Sequence, residues 1–288
     1  KITYIEEKYL VSLDSDADID KGIEEMYAKF DGTCYSSKIS INSINSIRIP
    51  QKTGYTFKGY YNNNIQYIDE YGNILDMFGK IEETIVLEAK WELTVYTITL
   101  DTNGGNSEYS TFEFTYYDEY GNRKTYGDYN INTYLVSYDW YSFLYWTHKG
   151  QEITNDTPIF VAGNHTLVAE KEANVYTIIY HDNYYKETYT AEYTYSENSR
   201  ETFSTFEQCG FYVAGKELVK WNTISNGSGK NYYAKQTIFD KIDSQTRTIH
   251  LYAQLNDIIY ELSFYSEDGY TLYDVLEFCY GEKTYAIV

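Results

Sequence analysis

The 288-residue chain carries 43 acidic against 23 basic residues, a formal net charge of −20. That balance excludes binding to a nucleic-acid backbone, which runs on clustered Lys and Arg, and disfavours an anionic membrane surface; the plain reading of the charge is solubility. An apolar content of 43% is enough to bury the cores of two or more domains. The three cysteines, Cys34, Cys209 and Cys279, are odd in number and far apart, so a complete disulfide framework is excluded. Cys209 and Cys279 read either as reactive thiols or as small buried apolar residues. No run of 18 apolar residues occurs, so no transmembrane helix is expected and no membrane insertion within this fragment. The chain opens KITYIEEKY, without Met or a visible signal sequence, and reads as a piece of something longer.

Tyrosine, at 37 residues, outnumbers Phe and Trp together, and an apolar ring with a wet tip suits half-buried sheet surfaces. In chain order, the first 33 residues are the least regular. Either TYIEEKY is the tail of a closing strand or YLVSLD opens a unit. DSDADIDKGIEE places Asp14, Asp16, Asp18, Asp20 and Glu25 at positions 1, 3, 5, 7 and 12 of a calcium loop. Ile19 stands where that loop needs Gly, and Lys21 where it carries an aliphatic residue. The other reading is an acidic loop capping a helix. KGIEEMYAKFDG at 21–32 predicts that helix, with Ile23, Met26, Tyr27 and Phe30 as its stripe and Asp20 as its N-cap.

From residue 54 a repeat emerges. LEAKW at 87–91 leads into VYTITL, and 80 residues later LVAEK leads into VYTIIY; IHLYAQLNDIIYELSF follows at 249–264. Tyr96, Tyr176 and Tyr260 align, as do Leu87, Leu167 and Leu251. Each opening segment alternates apolar and polar residues, predicting half-buried strands in a mostly antiparallel sheet. STFEFTYY and NRKTYGDY around DEYG, and KETYTAEYTY and RETFSTF around SENS, predict hairpins. DEYGN recurs at 69–73, out of phase with the repeat, as turn chemistry. GYTFKGYY, WYSFLYWT and ELVKWNT give a second anchor that aligns Tyr60, Trp146 and Trp221. These rings read as core plugs or as candidate sugar-stacking, ligand-binding residues. NTISNGSGKN at 222–231 reads as a surface loop. The four His residues are scattered, and no G-x-S-x-G, H-E-x-x-H or P-loop is present, so catalytic and cofactor-binding residues are not assigned and no enzyme is expected.

YTITLDTNGG, GYTFKGYY and LEAKW together resemble the Listeria–Bacteroides repeat, the family of the internalin-type B repeats. The resemblance touches most of residues 34–265. It implies a mainly β fold with little helix (α+β), built of tandem small β-grasp-like units in an elongated array. The expected units are 1–93, 94–172, 173–256 and 257–288, the last incomplete. It also implies a non-catalytic repeat region of a secreted or cell-surface bacterial protein, extracellular, acting in adhesion or as a stalk. The implied partner is a host or matrix protein or a surface glycan; the net charge argues against nucleic acid, and calcium at the acidic loop, from the carboxylate spacing, is the one cofactor considered. The alternative, motivated by the aromatic content, is a glycan-binding or ancillary region of a carbohydrate-active enzyme.

Overall fold

The computed structural model of the chain describes residues 7–267 and 269–282. Those residues form nineteen strands and three short 3-10 helices, with no α-helix among them. The chain divides into two compact units, Lys1–Val136 with Tyr145–Glu170, and Ser137–Leu144 with Lys171–Val288.

In the first unit, β1 (Tyr9–Asp14), β2 (Glu25–Ala28), β3 (Cys34–Tyr35), β4 (Ser43–Ile44), β5 (Tyr55–Asn62), β6 (Ile65–Ile68) and β7 (Ile85–Leu93) form a sheet in the order β4-β3-β2-β1-β7-β5-β6. YLVSLD is therefore an opening strand. It pairs antiparallel with β2 and parallel with β7, Leu13 facing Leu87. Val11, Met26, Ala28, Phe57, Tyr60 and Leu87 pack one buried core on this sheet. A second sheet is built from β8 (Val95–Asp101), β9 (Thr111–Thr115), β10 (Tyr141–His148), β11 (Gln151–Ile153) and β12 (His165–Ala173), in the order β11-β10-β12-β8-β9. Here β8 pairs antiparallel with β9 and parallel with β12, Leu100 facing Leu167. Strands β10 and β12 have residues in both units.

In the second unit, β13 (Val175–His181), β14 (Thr188–Thr194), β15 (Lys216–Asn222), β16 (Asn231–Tyr232) and β17 (Thr248–Asp257) follow the order β14-β13-β17-β15-β16. Tyr180 faces Leu251 across the parallel pair. The core gathers Tyr176, Ile178, Tyr180, Phe203, Trp221 and Leu251. A hairpin of β18 (Ile259–Tyr265) and β19 (Leu272–Cys279) follows. With β3 and β4 of the first sheet set aside, one strand order thus occurs three times: second, opening, closing, third, fourth. A single residue joins each closing strand to the next opening strand. The Thr94 N–H donates to the Gly54 carbonyl at 3.0 Å, that of Asn174 to Trp140 at 2.9 Å, and that of Ile258 to Gly215 at 2.8 Å.

Two expectations are corrected. The segment 21–32 is not a helix. Glu25–Ala28 is a strand on the edge of β1, with Met26 and Ala28 buried and Phe30 exposed. Gly22, at φ +73°, breaks the chain before it, and the Leu13 N–H donates to the Glu24 carbonyl. Pairing with a neighbouring strand outweighed an amphipathic spacing that a short stretch supports only weakly. The partner segments of the two expected hairpins also are not strands. NRKTYGDY makes two isolated bridges, Tyr117 to Arg123 and Thr125 to Pro158, and then the 3-10 helix Tyr126–Tyr129. RETFSTF makes one bridge, Thr202 to Thr237, away from β14. The turns themselves form. The two DEYGN copies fold alike, each Asp (Asp69, Asp118) accepting two backbone N–H bonds and an Asn amide, with Gly72 and Gly121 at φ +87° and +84°.

Candidate functional site

The acidic loop follows β1. Its Asp16 occupies a recurring backbone position, two residues beyond the end of an opening strand. Asp16, Asn103 and Asn183 all lie there in the left-handed region, at φ 46°, 50° and 55°. Asn and Asp tolerate that conformation better than other side chains. Asn103 and Asn183 each use the side-chain amide to bond the closing strand, at the carbonyls of Ala169 (3.2 Å) and Ala253 (3.0 Å). Asp16, with no amide, accepts instead from Lys52 Nζ at 2.6 Å. Asp18 accepts from the Thr53 N–H at 2.7 Å, and Asp20 from Arg48 at 3.0 Å and from the Gly22 N–H at 2.9 Å. Desolvation is the largest single influence on the Asp18 carboxyl and raises it, but the bonds from Thr53 and its own backbone, with nearby Lys52, together hold it below its usual range.

Asp14, Asp16 and Glu25 line an open cleft of about 460 Å³ with Lys21 and Glu24, while Asp18 and Asp20 are engaged by the segment 48–53. The five carboxylates therefore do not converge. Among the described residues no group of three or more His, Cys, Asp or Glu is placed to hold a metal ion. Glu25 lies in a strand where a calcium loop would enter its second helix.

The second anchor is one structural position, and it is internal. Tyr60 faces Ala89 and Trp221 faces Ala253, each across the closing strand. Tyr60, Trp146 and Trp221 are 0%, 2% and 0% exposed. The Trp146 indole donates to the Tyr134 carbonyl at 2.7 Å, and that of Trp221 to Ser204 at 2.8 Å. The Tyr60 hydroxyl is buried beside Ser15 without a well-formed hydrogen bond, and burial pushes it up to about 12. Stacking on a sugar needs an open ring face, and none of the three has one. They plug their cores because the small Ala on the closing strand leaves room for a large ring. Burial likewise pushes the thiols of Cys34 and Cys209 up to about 12, which makes them inert. Cys279 is half-buried. The loop 222–231 is tethered by the fully buried Asn222, whose amide donates to the carbonyls of Gly227 and Gly229 and to Asn231.

Two groupings had no signal in the sequence. Trp140, Tyr141, Tyr195 and Phe239 form an aromatic cluster in the second unit. His181 and His250, 69 positions apart, stand side by side on neighbouring strands. A period-two pattern shows which face a residue takes, but not which residue lies beside it on the next strand.

No protein-family model matches the chain. A protein of Evansella cellulosilytica named "Putative Gly-rich membrane protein" is 31% identical over 134 residues, 46% of this chain. The chain spans 14% of that relative's length. No helix among the described residues is long and apolar enough to cross a membrane.

Proposed function

We propose that the chain is a non-catalytic repeat region of a bacterial cell-surface protein, acting in adhesion or as a stalk that presents a binding region. In this reading it consists of tandem β-grasp-like units of the Listeria–Bacteroides repeat type, 1–93, 94–172 and 173–256, with 257–288 beginning a fourth. The observation that carries it is the strand order repeated in three successive sheets, with matching opening and closing pairs. Repeats of this kind add stability unit by unit. The membrane protein named among its relatives agrees with a location in the cell envelope. The partner would be a host or matrix protein. The glycan-binding alternative cannot rest on Tyr60, Trp146 and Trp221, which are internal, and would have to use exposed rings such as Tyr120 or Tyr212.

The test has two parts. Removing residues 173–256 should leave 1–172 with its cooperative unfolding transition intact; collapse of the remainder counts against repeat units. Antiserum against the chain should label intact cells of the source bacterium, and labelling only after lysis would sink the surface assignment.

A further inference from the structure

The four histidines fall into two touching pairs, and the pairs differ in what their nitrogens do. In the first, the rings of His148 and His165 lie 5.1 Å apart at 75°. Three of their four nitrogens are engaged: His148 Nδ1 by the Thr166 carbonyl, His165 Nδ1 by Gly163, and His165 Nε2 by the Tyr126 hydroxyl. The second pair has no such claims. His181 Nε2 and His250 Nδ1 stand 3.0 Å apart and bond to each other, and neither ring bonds another polar group among the described residues.

Strand geometry produces this meeting. β13 and β17 run parallel, Ile179 facing His250 and His181 facing Tyr252. Ile178, Tyr180, Ile249 and Leu251 point into the core, so the alternate residues His181 and His250 share the outer face. The Tyr252 ring lies on His181, centroids 4.3 Å apart and 13° from parallel, and fixes its orientation. His250 is exposed, and its ring stacks on that of His181, centroids 5.3 Å apart and 25° from parallel.

We propose that His181 and His250 form a two-imidazole site for a divalent transition-metal cation of the nickel, copper or zinc class. Imidazole nitrogen is a preferred ligand of these ions, whereas calcium and magnesium take oxygen. Two nitrogens bound to one ion at about 2.0–2.1 Å and a right angle stand about 2.9 Å apart. The 3.0 Å between His181 Nε2 and His250 Nδ1 is already close to that separation, so an ion enters between them once the donor ring shifts its proton to its other nitrogen and the His250 ring rotates. The net charge of −20 concentrates cations around the chain. With no third His, Cys, Asp or Glu in reach among the described residues, water fills the other coordination positions and the ion exchanges readily.

The experiment titrates the full chain, carrying Cys279→Ser to remove the accessible thiol, with NiCl₂ by calorimetry. One saturable site is expected. His181→Gln and His250→Gln should each weaken it at least about tenfold, while His148→Gln leaves it unchanged. Copper(II) bound to the unsubstituted-histidine chain should show an electron paramagnetic resonance signal split by two imidazole nitrogens. This second readout needs no histidine variant to fold. Absence of a saturable site, or a site that survives the His181→Gln/His250→Gln double substitution, would overturn the proposal.

Discussion

The indole of Trp140 lies flat on the ring of Tyr195, centroids 4.9 Å apart and planes 11° from parallel. Trp140 also meets Phe239 edge-on at 5.7 Å and packs on the core of the second unit. Its counterparts before β5 and β15 are glycines. A Cβ on Gly54 would press on Tyr116 and Tyr117, and one on Gly215 would run into Tyr280. The same seat, one residue ahead of the third strand, takes either a large ring or no side chain. Trp140→Ala leaves the Tyr195 face open, and we expect it to destabilise the second unit by about 2–4 kcal/mol in urea unfolding followed by near-ultraviolet circular dichroism.

Gly59 sits at the bulge of β5 with φ +115°, and a Cβ there would run into the Ile68 carbonyl oxygen. Gly121 has φ +84° but open space around it. Gly59→Ala should therefore cost more than about 2 kcal/mol, combining strain and overlap, and Gly121→Ala only about 1 kcal/mol. Equal shifts in thermal midpoint for the two variants would contradict this geometry.

The Tyr60 hydroxyl makes no well-formed hydrogen bond in its buried site, with only Ser15 beside it, whereas the Trp221 indole donates to Ser204. Removing an unpaired buried polar group releases its desolvation cost. Tyr60→Phe is expected to be neutral or stabilising by up to about 1 kcal/mol. Trp221→Phe should destabilise by about 2 kcal/mol or more, through lost volume and an orphaned carbonyl. Paired denaturant melts give both signs.

Burial raises the phenols of Tyr60 and Tyr126 from 10.0 to about 12. Below pH 10 these groups are neutral in both folded and unfolded chains, so they make stability no function of pH. Between pH 10 and about 12 the unfolded chain ionises them and the folded chain does not, so stability falls with rising pH. The thermal midpoint should drop across that window. A flat profile to pH 12 would show that these rings are reached by solvent.

The thiols of Cys34 and Cys209 stay protonated and enclosed at pH 8, while Cys279 is half-buried in β19. Ellman's reagent should titrate one thiol in the native chain and three in guanidinium. Rapid reaction of all three without denaturant would mean that the cores open.

The opening and closing strands were legible because period two survives in their sequences. Ile98 and Leu100, or Ile178 and Tyr180, are buried where alternation put them. Tyr96, Tyr176 and Tyr260 each stand opposite an aromatic residue on the next strand, Phe114, Tyr193 and Phe278. Local chemistry also read well, since the DEYGN turns rest on an Asp reaching its own backbone. The stretch 21–32 failed because Met26 and Tyr27, two of the four residues at helical spacing, also suit a short strand, and only β1 and β3 on either side of it decide between the two. The acidic loop looked like a ligand set because alternate carboxylates in sequence suggest convergence. In space Asp16 serves a turn that Asn103 and Asn183 also make. The Trp140–Tyr195 and His181–His250 contacts join residues distant in sequence, and no local pattern encodes them.

The parallel pairing of each first strand with its last has a mechanical consequence. A pull on the two ends of such a sheet, at Tyr9 and Leu93 for instance, drags the adjacent strands lengthwise past each other. Their hydrogen bonds are loaded in shear and must rupture together, whereas β18 and β19 meet as a hairpin whose bonds open one after another. Stretching single molecules should therefore give tall rupture peaks for the three complete sheets and an early, low-force release of the hairpin.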